Sequence, residues 1–180
     1  MNPFKTFIGT LAATDKDIVN ESRKSIYDIH INKLNGEPLT LGHFWGKYIL
    51  FVNVASKCGY TPQYRELQEL YEKHKDKLEI IAVPCNQFGK QEPGTNYEIQ
   101  EFCETNFNIS FTITEKVKVK GVDQHPLYEW LTKKSINGKK NSTVKWNFQK
   151  YLVDPDGEFV DYYYSITKPM SSRIISHLKS

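Results

Sequence analysis

Sulfur is the most reactive chemistry that this sequence offers. Its three cysteines, Cys58, Cys85 and Cys103, are an odd number at wide spacing, which argues against a structural disulfide framework. None forms a Cys-x-x-Cys pair and the five histidines fall in no zinc spacing, so no metal site is expected. Cys58 has the most telling setting. The apolar, β-branched run Tyr48–Val54 reads as a buried strand, and it stops at the small polar loop Ala55-Ser56-Lys57-Cys58-Gly59-Tyr60. A helix follows, with Thr61 suited to the N-cap and Pro62 to the first helical position. Unpaired backbone N–H groups and the positive end of that helix favour a thiolate at the junction, and Lys57 adds a cation. The plainer alternative for all three thiols is a small buried hydrophobe, the commoner fate of a free cysteine.

The elements around this junction follow from periodicity. Ser25–Ile31 alternates as a strand, Asn35-Gly36 signals a turn, and Pro38–Leu41 is the short return strand of a hairpin. Behind Thr61, the residues Tyr64, Leu67, Leu70, Tyr71 and His74 recur at helical spacing. Glu79–Val83 is the next buried strand, so strand, helix and strand make a parallel βαβ unit. Pro84–Gly94 is a turn-rich loop at the same end of the sheet. Thr95–Phe107 reads as a helix with a capping box from Thr95 and Glu98, its apolar face carrying Ile99, Phe102 and Cys103. Phe111–Val119 is expected to be a strand and His125–Lys134 a helix. Ser135–Thr143 is expected to be an exposed basic loop. A hairpin runs around Asp154-Pro155-Asp156-Gly157, and Pro169–Lys179 closes the chain as an amphipathic helix. The order predicts an α/β fold: a central mixed sheet flanked by helices, with an N-terminal β-hairpin.

At 180 residues the chain suits one domain, placed at residues 25–180, preceded by an N-terminal extension over residues 1–24. A net charge of +3, with Lys and Arg scattered, is too small to argue for nucleic acid. No apolar run reaches the ~18 residues of a membrane span. Lys5 precedes a short apolar piece, but Asp15, Asp17 and Glu21 follow it, favouring a cytoplasmic appendage over a targeting segment.

A strand, a cysteine and a helix start in this order resemble the thioredoxin fold, although Thr61 occupies the place of the second cysteine of a Cys-x-x-Cys pair. The resemblance then narrows. Asn53-Val54-Ala55-Ser56-Lys57-Cys58-Gly59-Tyr60-Thr61, Pro84-Cys85-Asn86-Gln87-Phe88-Gly89-Lys90-Gln91-Glu92-Pro93-Gly94 and Lys145-Trp146-Asn147-Phe148-Gln149-Lys150-Tyr151-Leu152-Val153 resemble the three signature blocks of the glutathione peroxidase family. The match runs from about Ser25 to the C-terminus. It implies a thioredoxin-like fold and reduction of hydrogen peroxide and organic or lipid hydroperoxides, with no cofactor or metal.

Carried over by position, Cys58 matches the peroxidatic residue, and Gln87, Trp146 and Asn147 match the rest of the family's catalytic tetrad. Their N–H donors suit the charge that moves between sulfur and peroxide oxygen. Taken singly, Trp146 reads as a core aromatic, and Gln87 and Asn147 as turn polarity. Cys103 matches the resolving cysteine of the thioredoxin-dependent members, and on a packed helix it must be delivered by local unwinding, since a disulfide needs Cα atoms within ~7 Å. Cys85 is read as a bystander. The short segment before Trp146 lacks the insertion that supports tetramers, implying a monomer with thioredoxin as reductant. Glutathione as reductant, a thiol redox sensor or relay, and a plain binding module are the alternatives. Lys133, Lys134, Lys139, Lys140 and Lys145 offer either a basic rim for transient contact with an anionic membrane surface or, more simply, a solvated loop. The family often has proline where this chain has Thr112.

Overall fold

The computed structural model describes residues 24–179. The extension assigned to residues 1–24 therefore lies, apart from Lys24, outside the described residues. A five-stranded sheet in the order β5-β4-β3-β6-β7 organises the molecule: β3 (Tyr48–Val54), β4 (Leu78–Pro84), β5 (Thr112–Ile113), β6 (Lys150–Val153) and β7 (Phe159–Tyr163). β3 pairs parallel with β4, and β4 with β5, while β6 runs antiparallel to both β3 and β7. A separate hairpin, β1 (His30–Asn32) and β2 (Pro38–Thr40), turns at Gly36, whose φ of 85° suits glycine.

Strand alternation divides the core between the two faces of the sheet. Ile49, Phe51, Ile81, Val83, Tyr151 and Val153 pack on one face with Leu127, Tyr128 and Leu131 of α3 (Pro126–Thr132). Leu50, Val52, Ile80, Ala82 and Leu152 pack on the other, under α1 (Gln63–His74) and α2 (Asn96–Phe107). Covered on both faces, β3 and β4 are buried almost end to end, which is why they read as continuous apolar runs. A short helical turn, α4 (Lys134–Asn137), follows α3, and α5 (Ser172–Ile175) continues as a 3-10 turn over Ser176–Lys179.

Several expectations change. Ile26–Asp28 is a 3-10 turn capped by Ser25, so the first strand begins only at His30. The strand expected over Phe111–Val119 shrinks to Thr112–Ile113: beyond it single bonds still reach β4, from Thr114 N–H to the Ala82 carbonyl and from Val117 N–H to that of Pro84, but Glu115 N–H turns to the Asn32 carbonyl of β1 and the ladder is broken. Thr112, where proline was the family's habit, donates its N–H (3.4 Å) and hydroxyl (2.8 Å) to buried Glu79. Proline could make neither bond. The loop expected over Ser135–Thr143 opens with α4, whose Asn137 is buried.

Lys150 on β6 is 0 % exposed, its ammonium held by Gln63 Oε1 at 2.7 Å and the Phe148 carbonyl at 2.8 Å. Burial lowers its pKa to about 7, opposed by the charge of Glu66. Between about 7 and the usual 10.5 the unfolded chain binds a proton here that the folded protein does not, so raising the pH through that window favours folding. In urea titrations from pH 7 to 9, the stability of wild type relative to Lys150→Met should therefore rise by about 1.4 kcal/mol per pH unit. A flat difference shows the amine to be charged throughout.

Candidate active site

At the end of β3 the chain must turn sharply within a buried setting, and Thr61 makes that possible. Its hydroxyl accepts the Cys58 N–H at 3.0 Å and donates to the Ala55 carbonyl at 2.8 Å, while its own N–H bonds the Cys58 carbonyl. Thr61 is thus a latch for the turn and not the helix cap expected of it. Pro62 takes the N-cap position, and α1 starts at Gln63. The Cys58 sulfur accepts the Tyr60 N–H at 3.4 Å. At 8 % exposure it is the most accessible of the three thiols, the other two being fully enclosed.

The segment Trp146-Asn147-Phe148 stands over the same end of the sheet. Asn53 on β3 holds it twice: its side-chain N–H donates to the Trp146 carbonyl (2.9 Å) and its carbonyl accepts the Phe148 N–H (2.5 Å). Trp146 is 40 % exposed, which removes its reading as a core aromatic, and its ring lies 5.8 Å from that of Phe88. Asn147 is fully buried and its Oδ1 has no hydrogen-bond partner, an unusual state for mere turn polarity. Its Nδ2 donates to Gln91 Oε1 at 2.9 Å, and the Gln91 carbonyl in turn accepts the Lys57 N–H at 3.0 Å. One residue therefore joins Asn147 to the neighbour of Cys58.

Gln87 is oriented differently. Its Oε1 accepts the N–H groups of Val119 (2.7 Å) and Lys120 (3.1 Å), and its Nε2 donates to the Lys120 carbonyl (2.9 Å). Its amide is bound to the Val119–Lys120 backbone and leaves one N–H to offer. In this conformation Trp146, Asn147 and the Cys58 turn are tied together, whereas Gln87 approaches them through its neighbour Phe88.

Residues 26–133 match the family model described as glutathione peroxidase. The chain belongs to the glutathione peroxidase family. It is 45 % identical over 148 residues to the glutathione peroxidase-like peroxiredoxin 2 of Saccharomyces cerevisiae, covering 82 % of this chain and 91 % of that one. The hydroperoxy fatty acid reductase of Synechocystis sp. is 45 % identical over 157 residues, 83 % of this chain and 92 % of its own. The crystal structure of Trgpx in its apo form shares the fold with a TM-score of 0.69 and 33 % identity, over 88 % of this chain and 98 % of that one. With these relatives, the chain is a thioredoxin-fold peroxidase.

The other two thiols of this glutathione peroxidase are set apart by burial. Cys103 lies inside α2, where burial pushes its pKa up to about 11, opposed by the Tyr64 hydroxyl and reinforced by Glu92 and Glu104. Burial likewise raises Cys85, whose sulfur accepts the Gln87 N–H at 3.4 Å. Of the basic rim, Lys133 pairs with Glu129 and Lys140 with Asp161. Sequence reasoning assigned no role to Gln91, Glu92, Gln63 or Lys150. Gln91 and Glu92 stood within a signature block, but their partners are distant in sequence. In the reduced, folded protein at pH 8, iodoacetamide should label Cys58 and leave Cys85 and Cys103 unmodified until denaturant is added. Peptide mass spectrometry reads the order, and early labelling of Cys103 contradicts its enclosure.

Proposed function

We propose that Cys58 is the peroxidatic residue, that Cys103 resolves it as an intramolecular disulfide, and that thioredoxin returns both to thiols. The observation that carries this reading is the Gln91 bridge, which joins the turn of the most accessible thiol to buried Asn147. The Cys58 thiolate attacks the terminal peroxide oxygen. The O–O bond breaks, the sulfur becomes a sulfenic acid, and the departing alkoxide takes a proton to leave as alcohol or water. The indole N–H of Trp146 and the remaining amide N–H groups of Asn147 and Gln87 are the donors for the charge that passes to oxygen. A half-exposed Trp146 beside Phe88 leaves an apolar approach open, suited to organic as well as inorganic hydroperoxides. The Synechocystis relative is named as a hydroperoxy fatty acid reductase.

Resolution requires α2 to loosen, and its anchoring suits that. Ile99 and Cys103 are the buried residues of this twelve-residue helix. Helices with few buried apolar contacts open at low free-energy cost. The capping box of Thr95 and Glu98 at one end and the left-handed Asn108 at the other keep it folded in the reduced state. Three free thiols fit a reducing compartment such as the cytoplasm, and a monomer leaves the sulfur open to a protein reductant.

Peroxide turnover with thioredoxin and its reductase should be lost, by at least about 10³-fold, in Cys58→Ser. Cys103→Ser should still consume one equivalent of peroxide but stop there with thioredoxin, while Cys85→Ser turns over normally. Equal turnover of wild type with glutathione and its reductase supports the glutathione-dependent alternative instead. Thr95→Ala, which removes the cap at a cost of about 1 kcal/mol, should speed disulfide formation up to about fivefold where opening of α2 limits it. An unchanged rate places the limit elsewhere.

A further inference from the structure

Glu92 is a buried carboxyl group that the chemistry above leaves unused. It is 1 % exposed, and its Oε2 has no hydrogen-bond partner. Interior carboxylates normally satisfy both oxygens, because an unpaired buried charge is costly. Glu92 lines a cavity of about 320 Å³ with Ser56, Lys57, Gly94, Ile99 and Phe102. One wall of that cavity is the turn leading to Cys58, and the other is α2, on which Phe102 precedes Cys103.

The backbone of Glu92 is anchored to residues outside α2, although one of them, Lys116, also donates its N–H to Asn96 at the start of that helix. Its N–H donates to Asn86 Oδ1 at 2.9 Å, and its carbonyl accepts from Lys116 Nζ at 3.1 Å. When α2 loosens, these anchors keep the carboxyl beside the Cys58 turn while Cys103 arrives there. We propose that Glu92 handles the proton of the resolution step, taking it from the Cys103 thiol and giving it to the hydroxide that leaves Cys58. This rests on the two-cysteine reading of the previous subsection.

The step balances without any further reagent. The Cys103 S–H bond breaks with its proton passing to the Glu92 carboxylate, and the sulfur's electron pair forms the S–S bond. The Cys58 S–O bond breaks with its pair on oxygen, and the hydroxide takes the proton back from Glu92 to depart as water. Cys103 is oxidised and the sulfenic sulfur reduced, both to the disulfide level. The need is plain: Cys103 holds its proton tightly, and hydroxide is a poor leaving group. Burial raises the Glu92 carboxyl above the ordinary carboxylate range, which makes it a stronger base for the thiol proton, while Ser56, Lys116 and Lys57 oppose that rise. Cys103, Tyr64 and Cys85 feel its charge, and Glu98 lines the same cavity.

The test mixes one equivalent of hydrogen peroxide with wild type, Glu92→Gln and Glu92→Asp. Sulfenic acid at Cys58 is trapped with dimedone, and the Cys58–Cys103 disulfide is timed by quenched mass spectrometry. Glu92→Gln should form the sulfenic acid within about twofold of the wild-type rate but close the disulfide at least about tenfold more slowly, with the dimedone adduct accumulating. The wild-type disulfide rate should fall as pH drops through the carboxyl's titration. Glu92→Asp should keep that limb and Glu92→Gln should lack it. Wild-type rate and pH profile in Glu92→Gln overturn the proposal, as does a slowing of both steps alike in both variants, which marks a purely structural role. Persistent sulfenic acid with no disulfide in the wild type itself overturns the resolving role of Cys103, and this assignment falls with it.

Discussion

The hydroxyl of Thr61 fixes the geometry on which the rest of the site depends. A fully buried parallel strand cannot simply stop, because its last backbone groups would be left without partners. By accepting from Cys58 N–H and donating to the Ala55 carbonyl, one side chain closes a tight turn and satisfies both groups. The sulfur is thereby held at the mouth of the sheet with the Tyr60 N–H directed at it. A second cysteine at this position would supply a thiol but a poorer latch. The turn is thus a rigid seat for one sulfur, and in the proposed mechanism the second thiol comes from elsewhere in the chain.

Beneath that seat lies a buried polar network that holds the Trp146–Phe148 segment. Lys150 bonds Gln63 and the Phe148 carbonyl, Gln63 donates to the Ser165 carbonyl at 2.7 Å, and Ser165 Oγ donates to the Asn147 carbonyl at 2.5 Å. Phe148 sits at φ 62°, a left-handed conformation that costs a bulky residue about 1–3 kcal/mol. Such strain persists only where the surroundings over-determine it. Asn53 on one side and Lys150 on the other do so, and the outcome is an indole turned outward beside a fully buried asparagine. In the proposed mechanism this rigidity serves the reaction, since donors fixed in advance need no reorganisation when charge develops.

The sequence was legible where local chemistry and periodicity act together. The buried strands, the hairpin turning at Gly36 and the Thr95–Glu98 capping box could be read from spacing alone, because each is a contest between neighbouring residues. Thr61 departs from the expected cap for an equally physical reason. Threonine before proline is good capping chemistry, but the buried N–H of Cys58, three residues earlier, competes for the same oxygen and wins. β5 is shorter than the pattern over Phe111–Val119 suggests, because such a pattern describes an extended chain without saying where its hydrogen bonds go. The site is legible only as a pattern of blocks. That Gln91 bridges Lys57 and Asn147, or that Lys150 reaches Gln63, depends on pairings between distant residues that no local signal encodes.

α2 places two demands on one helix. On the two-cysteine mechanism proposed above, it must be folded in the reduced protein, for which it has caps at both ends, and it must surrender Cys103 when Cys58 is oxidised. Burial of that thiol serves the first demand twice over: it fills the core against Tyr64 and Ile99, and it keeps the sulfur protonated and inert towards passing oxidants. A resolving thiol that was already exposed and ionised would itself react with peroxide. On that mechanism, a capped helix whose buried residues are Ile99 and Cys103 keeps the thiol unreactive until the helix opens. The turn that carries Trp146 and Asn147 is tied to the sheet by buried hydrogen bonds, whereas α2 packs on it through Ile99 and Cys103, with Phe102 and Phe107 partly buried beside them. On the proposed mechanism, fixed and movable parts are thus distributed along the chain according to which sulfur has to move.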